Sequence, residues 1–310
     1  MEKYVILADI TCDISEEIRN YFNVDECITG HIHFSDGRDF KTTLDWSNIS
    51  REDFYKTLSN KKINVSTAPP SPEEYYATFK DYAEKGYNIL SMSISSKISS
   101  TYNVAVAAAK RVTEECSDCK IYCFDTFKMS GAFGLLVMYA HELRNQGKTF
   151  EEVIDWLESN KNKVHQMGPI DDLIFVARRG NISMGKAIMG NFAGVKPMGD
   201  CNRDGYVSVL TKVKGINKAL DYTAQYIERV SVNIEDQFIL ISHSNRPEYA
   251  ERLKEIIEQN LNAKKVFVTD VFTGCGTNIG PGMVCAYFLG DEISADLANE
   301  KAIMAEIVNG

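Results

Sequence analysis

Asn88-Ile89-Leu90-Ser91-Met92-Ser93-Ile94 runs directly into Ser95-Ser96-Lys97-Ile98-Ser99-Ser100-Thr101-Tyr102 and then into the alanine-rich stretch from Val104 to Lys110. An apolar, β-prone run, a hydroxyl-rich turn and a helix-forming segment in that order predict strand, turn and helix. Tyr4 to Ala8 and Lys120 to Phe124 begin the same succession. Short strands separated by helices of about 10 to 18 residues pair in parallel and carry helices on both sheet faces. The first half is therefore expected to be a doubly wound α/β domain. Its helix starts are marked. Ser71-Pro72-Glu73-Glu74 supplies a cap, a first-turn proline and two acids at the positive end of the helix dipole. Thr149-Phe150-Glu151-Glu152 forms a capping box before a helix that should reach about Lys163.

The character changes at Gly168-Pro169, a turn dipeptide. Beyond it, strands are expected at Val207 to Val213, Phe238 to Ser242 and Val266 to Thr269, with helices at Ile216 to Val230 and Arg246 to Asn260. This reads as a smaller α+β domain. The expected division is residues 1–167, residues 168–290, and a helical extension over residues 291–310 containing Ile303, Met304 and Ile307. Asp200-Cys201-Asn202-Arg203-Asp204-Gly205 imitates the opening of a calcium loop, but Thr211 stands where a bidentate carboxylate is required. Asp204-Gly205 between extended runs is better read as a hairpin turn.

At 310 residues, 44% hydrophobic and 25% charged, the chain is neither disordered nor a coiled coil, and it can bury a sizeable core. No run approaches the roughly 18 apolar residues of a membrane span, and the N-terminal stretch reads as a strand, so a cytoplasmic location is expected. A net charge of −9 argues against bulk binding to nucleic acid or an anionic membrane. That charge is uneven: residues 160–220 carry 10 basic and 4 acidic side chains. This basic stretch contains Arg178, Arg179, Lys212, Lys214 and Lys218. The eight cysteines are scattered and read as reduced thiols. Cys116, Cys119 and Cys123 lack an adjacent fourth ligand, so no metal is expected. His31 and His33 share a strand face, with no carboxylate nearby in sequence.

Three loops can carry chemistry. Val65-Ser66-Thr67-Ala68-Pro69-Pro70-Ser71 is stiffened by its two prolines and presents Thr67 in a fixed direction. Ser95 to Tyr102 sets five hydroxyls at the C-terminal end of a parallel strand, where the free N–H groups of the next helix favour an anion. Helix capping accounts for one or two of these hydroxyls. Gly274-Cys275-Gly276-Thr277-Asn278-Ile279-Gly280-Pro281-Gly282 has the wrong glycine spacing for a dinucleotide fold, and Pro281 disrupts a helix just starting. It reads as a tight loop that lets something approach closely.

These segments, with Asp9-Ile10-Thr11-Cys12-Asp13, Asp125-Thr126, Ser130-Gly131, Gly134 and Arg179-Gly180-Asn181-Ile182-Ser183, resemble in order the motifs of the DegV family over roughly residues 4 to 290. The family consists of bacterial fatty-acid-binding proteins that serve as the lipid-carrying subunit of fatty acid kinase. The resemblance implies one long-chain fatty acid, of the palmitate, stearate or oleate class, in an interdomain tunnel. Its carboxylate would meet Thr67, Ser96, Ser99 and Asn278, with Ala68, Ser95, Gly280 and Gly282 supporting the loops. A partner kinase would phosphorylate the carboxylate to an acyl phosphate for phospholipid synthesis. Lys214, Arg178 and Arg179 would face the partner or the phosphate, and the chain would have no catalytic residue of its own.

The chain departs from the family pattern in places. Asn278 stands where the family commonly has histidine, Lys214 where it often has arginine, and Asn181 where the motif has arginine. A binding-only lipid carrier or sensor without a kinase is the alternative. A third reading, a small-anion hydrolase with Ser96 or Ser99 as nucleophile, has only His243 as a candidate base.

Overall fold

Tyr4–Ala8 (β1), buried at all but its first position, opens a parallel sheet. The computed structural model describes residues 3–171, 175 and 194–310. After β1 come α1 (Glu16–Phe22), the hairpin β2 (His31–Phe34) and β3 (Asp39–Lys41), α2 (Arg51–Ser59), β4 (Val65–Ala68) and α3 (Pro72–Glu84). Then follow β5 (Asn88–Ser93), α4 (Thr101–Glu115), β6 (Ile121–Asp125), α5 (Ser130–Asn145) and α6 (Phe150–Asn160). The sheet order is β1-β5-β6, all parallel. Strand alternation sorts the core. Val5, Leu7 and Ile89 pack with Tyr75, Phe79, Ala105 and Ala108 of α3 and α4, while Ile6, Ala8 and Leu90 pack with Phe133, Leu136 and Val153 of α5 and α6. Helices thus cover both faces, as the strand spacing predicts. Both capping boxes form, at Ser71 with Glu74 and at Thr149 with Glu152.

Two segments expected as loops are regular. Val65–Ala68 joins the antiparallel sheet β3-β2-β4, with Thr67 opposite Ile32. The prolines that follow keep this segment extended, and β2 supplies its partner. Thr273–Ile279 is a helix, α9, that stops at Gly280 before Pro281 can obstruct it.

The second half contains β7 (Val164–Met167), the hairpin β8 (Val195–Cys201) and β9 (Val207–Lys214), α7 (Ile216–Val230), β10 (Phe238–His243), α8 (Pro247–Asn260), β11 (Lys265–Asp270), then α9, β12 (Val284–Leu289) and α10 (Ala298–Asn309). Its sheet runs β11-β10-β12-β7, with only the β10–β11 pair parallel. β7 lies before Gly168 yet pairs with β12, Met167 opposite Ala286. α10 joins the core of this half through Met304 and Ile307, beside Leu220 and Ile227. α5 lies between the two sheets. A Cβ on its Gly134 would sit 2.4 Å from the carbonyl oxygen of Cys12, so glycine is what permits the approach. Among the described residues no helix is long and apolar enough to cross a membrane.

The calcium-like segment closes the β8–β9 hairpin, where Asn202 Oδ1 accepts from the N–H groups of Asp204 and Tyr206. Asp200 points inward, fully buried. It accepts from the backbone of Gln166 at 2.8 Å and from Tyr226 Oη at 3.0 Å, and pairs with His165 Nδ1 at 2.7 Å. His165 Nε2 faces the carbonyl oxygen of Asp291 at 2.8 Å. Both ring nitrogens meet acceptors, so the imidazole is held as the cation. Burial opposes that charge, but the Asp200 carboxylate and the two hydrogen bonds outweigh it and raise the pKa above 6.5. His31 and His33 also have carboxylate partners, Glu74 and Asp39, brought from α3 and β3.

A raised histidine pKa contributes stability fully below the unfolded value of 6.5, and that contribution is lost as pH rises through the folded value. Urea unfolding should therefore show wild type losing stability above that pH. His165→Leu should cost about 3 to 5 kcal/mol at pH 6 by stranding Asp200, and should flatten this part of the profile. An unchanged slope would refute the charged pair.

Candidate functional site

The turns that follow β1 and β5 lie side by side at the C-terminal edge of the parallel sheet, the usual place for a ligand in such folds. β4 and α9 face them across a cavity of about 330 Å³. Its wall includes Asp9, Thr11, Thr67, Ala68, Ser99, Thr101, Cys275 and Asn278, with Ile94, Ile98 and Met129 as apolar lining.

Thr67, Ser99, Asn278 and Ala68 thus line one cavity. Thr67 and Asn278 are half-buried, and among the described residues neither side chain has a hydrogen-bond partner. Asn278 is the one residue of α9 that is not fully buried. Ser99 is partly engaged: its Oγ accepts from the Thr101 N–H at 3.2 Å and bonds Thr101 Oγ1 at 2.8 Å, so it caps α4 from the cavity side.

Other expected residues lie elsewhere. Ser96 is off the cavity wall, its N–H held by Asp125 Oδ1 at 3.1 Å, because the turn after β5 rotates it toward β6. Ser95 is buried beneath the β8–β9 turn and donates to the carbonyl oxygen of Asp204 at 3.3 Å. Gly280 and Gly282 follow α9 rather than line the cavity; Gly280 (φ 73) ends the helix against Phe175, and Gly282 donates to the carbonyl oxygen of Ser244 at 2.8 Å. Lys214 is exposed at the end of β9, away from the cavity. Arg178 and Arg179, with the motif from Arg179 to Ser183, lie outside the described residues. His243 is buried at the end of β10, where burial presses its pKa down to about 4. It is not on the cavity wall and so is not placed to activate Ser99.

Sequence reasoning gave no role to Asp9, Thr11, Met129 or Cys275, although Asp9 and Thr11 fall in the quoted turn after β1. Asp9 is buried and accepts from the N–H groups of Thr11 at 2.9 Å and Ile94 at 2.7 Å. It ties the two strand-end turns together, and burial raises its pKa. Asp13, four residues on, is fully buried and accepts from Ser130 Oγ at 2.6 Å and Phe272 N–H at 2.9 Å. Burial pushes its pKa up to about 8 against those hydrogen bonds. No lysine, arginine or histidine lines the cavity among the described residues. Its donors are neutral. Met129 also lines a second void of about 30 Å³, whose walls include Ile170, Ile279, Met283 and Tyr287.

The frame defines an α/β protein built on two main sheets, with a cavity whose donors are neutral hydroxyls and an amide and whose lining also includes apolar side chains. The model of the DegV family, described as uncharacterised proteins, matches residues 3–290, and the chain belongs to that family. A DegV domain-containing protein of Clostridium perfringens is 31% identical over 94% of this chain and 99% of its own length. Among solved structures, a DegV-family protein of Ruminococcus gnavus with vaccenic acid superposes with a TM-score of 0.81 at 21% identity, covering 92% of this chain and 99% of its own. The Streptococcus pneumoniae fatty acid kinase B3 protein, loaded with linoleic acid, gives a TM-score of 0.78 at 20% identity over 93% and 100%. Solved members of the family thus carry long-chain fatty acids.

A buried carboxyl with a pKa raised from 3.8 to about 8 binds a proton that the unfolded chain releases. Stability should then fall as pH rises between those values. Asp13→Asn, which keeps an acceptor for Phe272 and suits the left-handed backbone, should flatten that fall in thermal denaturation across the same range. A variant profile parallel to wild type would show that Asp13 does not titrate there.

Proposed function

We propose that this chain binds one long-chain fatty acid between its two halves, which divide ahead of β7 rather than at Gly168, with the carboxylate at Thr67, Ser99 and Asn278. The acyl tail runs past Met129 toward Tyr287 and Met283. The observation that carries this reading is the pair of unengaged polar groups, Thr67 and Asn278, at the head of a cavity whose far wall is apolar, in a chain whose family includes fatty-acid-loaded proteins. A carboxylate out of water needs several donors, and these two with Ser99 can provide them. About 0.8 kcal/mol per buried methylene supplies the affinity.

The chain contributes no catalytic group in this reading. It presents the acid to a kinase subunit, for which Lys214, Arg178 and Arg179 offer positive charge. The alternative of a carrier without a kinase is favoured by one observation: Asn278, which cannot hold a charge or transfer a proton, occupies the headgroup wall.

Mass spectrometry of an organic extract of purified protein should find a stoichiometric C16 or C18 acid, about one per chain. An empty protein that also fails to take up added palmitate or oleate would overturn the reading. Thr67→Val and Asn278→Leu should each weaken oleate binding by about 1 to 3 kcal/mol, whereas Ser96→Ala should bind as wild type. Formation of an acyl phosphate from ATP, loaded chain and a kinase subunit separates the two roles.

A further inference from the structure

Lys128, in the connection from β6 to α5, is 1% exposed. An amine out of water needs partners. Among the described residues its hydrogen-bond partner is a sulfur, Cys201 Sγ at 3.3 Å, and no carboxylate pairs with it. Cys201 closes β8 and is also dry, 2% exposed. Its S–H donates to the carbonyl oxygen of Val164 at 3.7 Å, which leaves the sulfur lone pairs directed at the amine.

The two residues come from different halves of the chain, and their contact is held by others. Ser95 Oγ donates to the carbonyl oxygen of Asp204, and Tyr206 Oη donates to that of Lys97 at 3.0 Å. Gly205, at φ 85, lies so near Phe127 that a Cβ would stand 2.4 Å from its carbonyl oxygen. The hairpin turn is therefore fastened to the loops on either side of Lys128. Neither residue serves the cavity.

We infer that Lys128 and Cys201 are an oxidisable couple that hydrogen peroxide closes into a lysine–cysteine N–O–S bridge, joining the β8–β9 hairpin covalently to the start of α5. In the first step the Cys201 thiol takes one oxygen from peroxide. The S–O bond forms, the O–O bond breaks, sulfur loses two electrons, and water leaves with a sulfenic acid remaining. In the second, the Lys128 amine and the sulfenic oxygen are joined as a second peroxide is reduced. The N–O bond forms and nitrogen loses two electrons. One amine hydrogen and the sulfenic hydrogen leave in two waters. An amine already in contact with the sulfur competes with further oxygen addition, which would have to force a larger anion into a packed site.

The test uses the full-length protein, titrated with hydrogen peroxide until the half-buried Cys27 is oxidised, then digested without reductant and mapped by mass spectrometry. The expected product is a peptide pair joined through Lys128 and Cys201. It should be about 14 Da heavier than the sum of its parts, one oxygen gained and two hydrogens lost, and should separate on dithiothreitol treatment. Protein unfolded in urea before the same titration should not form it. Recovery of Cys201 as thiol, sulfinic acid or a disulfide, with Lys128 unmodified, would overturn the inference. So would the same mass gain in Lys128→Met. The wild-type map decides even if a variant does not fold.

Discussion

Asp13 is a buried carboxyl group with no counter-cation among the described residues, and the two halves meet on it. Its side chain accepts from Ser130 at the first turn of α5 and from the backbone of Phe272 before α9, while its own carbonyl oxygen accepts from Thr269 Oγ1 at 2.8 Å on β11. One residue thereby fixes the turn after β1, the helix between the sheets and the approach to α9. Thr11, Met129 and Asn278, on those same three segments, line the cavity. Asp13 and Ser130 both hold left-handed backbone, φ 49 and 51, a conformation costing on the order of 1 to 3 kcal/mol each. Such strain persists only where the surroundings leave no alternative, and full burial between two sheets is such a place.

The same arrangement sets the electrostatics of the cavity. Asp9 and Asp13 are negative or costly to ionise, and the wall groups near them are hydroxyls and an amide. An anionic head group held here would have short-range donors, with no cation among the described residues of the wall to draw it in. In the proposed complex apolar burial would then supply most of the affinity, while Thr67, Ser99 and Asn278 would fix orientation. Translational and ordering costs absorb much of what a long chain gains.

The regular parts of the fold were legible because their causes are local. β1, β5 and β6 announce themselves by apolar runs, α3 by its serine cap and first-turn proline, and α6 by a capping box that forms as read. What failed to show depended on distant partners. β4 is a strand because β2, more than thirty residues earlier, lies beside it. α9 has a composition that disfavours helix. It forms because Gly276 admits Phe54 of α2 so closely that a Cβ would stand 2.8 Å from its ring. His31 looked unpartnered because Glu74 reaches it from α3, whereas His33 meets Asp39, six residues on, once the hairpin sets the two opposite each other.

The site was legible as a place more than as a set of donors. A hydroxyl-rich turn at the end of a parallel strand marked the edge of the sheet where the cavity lies, but the number of hydroxyls overstated how many face it. Ser95 is consumed by the hairpin, Ser99 and Thr101 largely satisfy each other, and Ser96, whose backbone N–H is held by Asp125, is off the cavity wall. The groups left over are those whose own elements ask nothing of them: Thr67 on an edge of the small sheet, and Asn278 on the outer side of a buried helix. Binding chemistry is what remains after local hydrogen bonding is satisfied. That remainder belongs to the assembled structure, because Thr67 and Asn278 are 211 positions apart in the chain and face one cavity only once both halves have closed on Asp13.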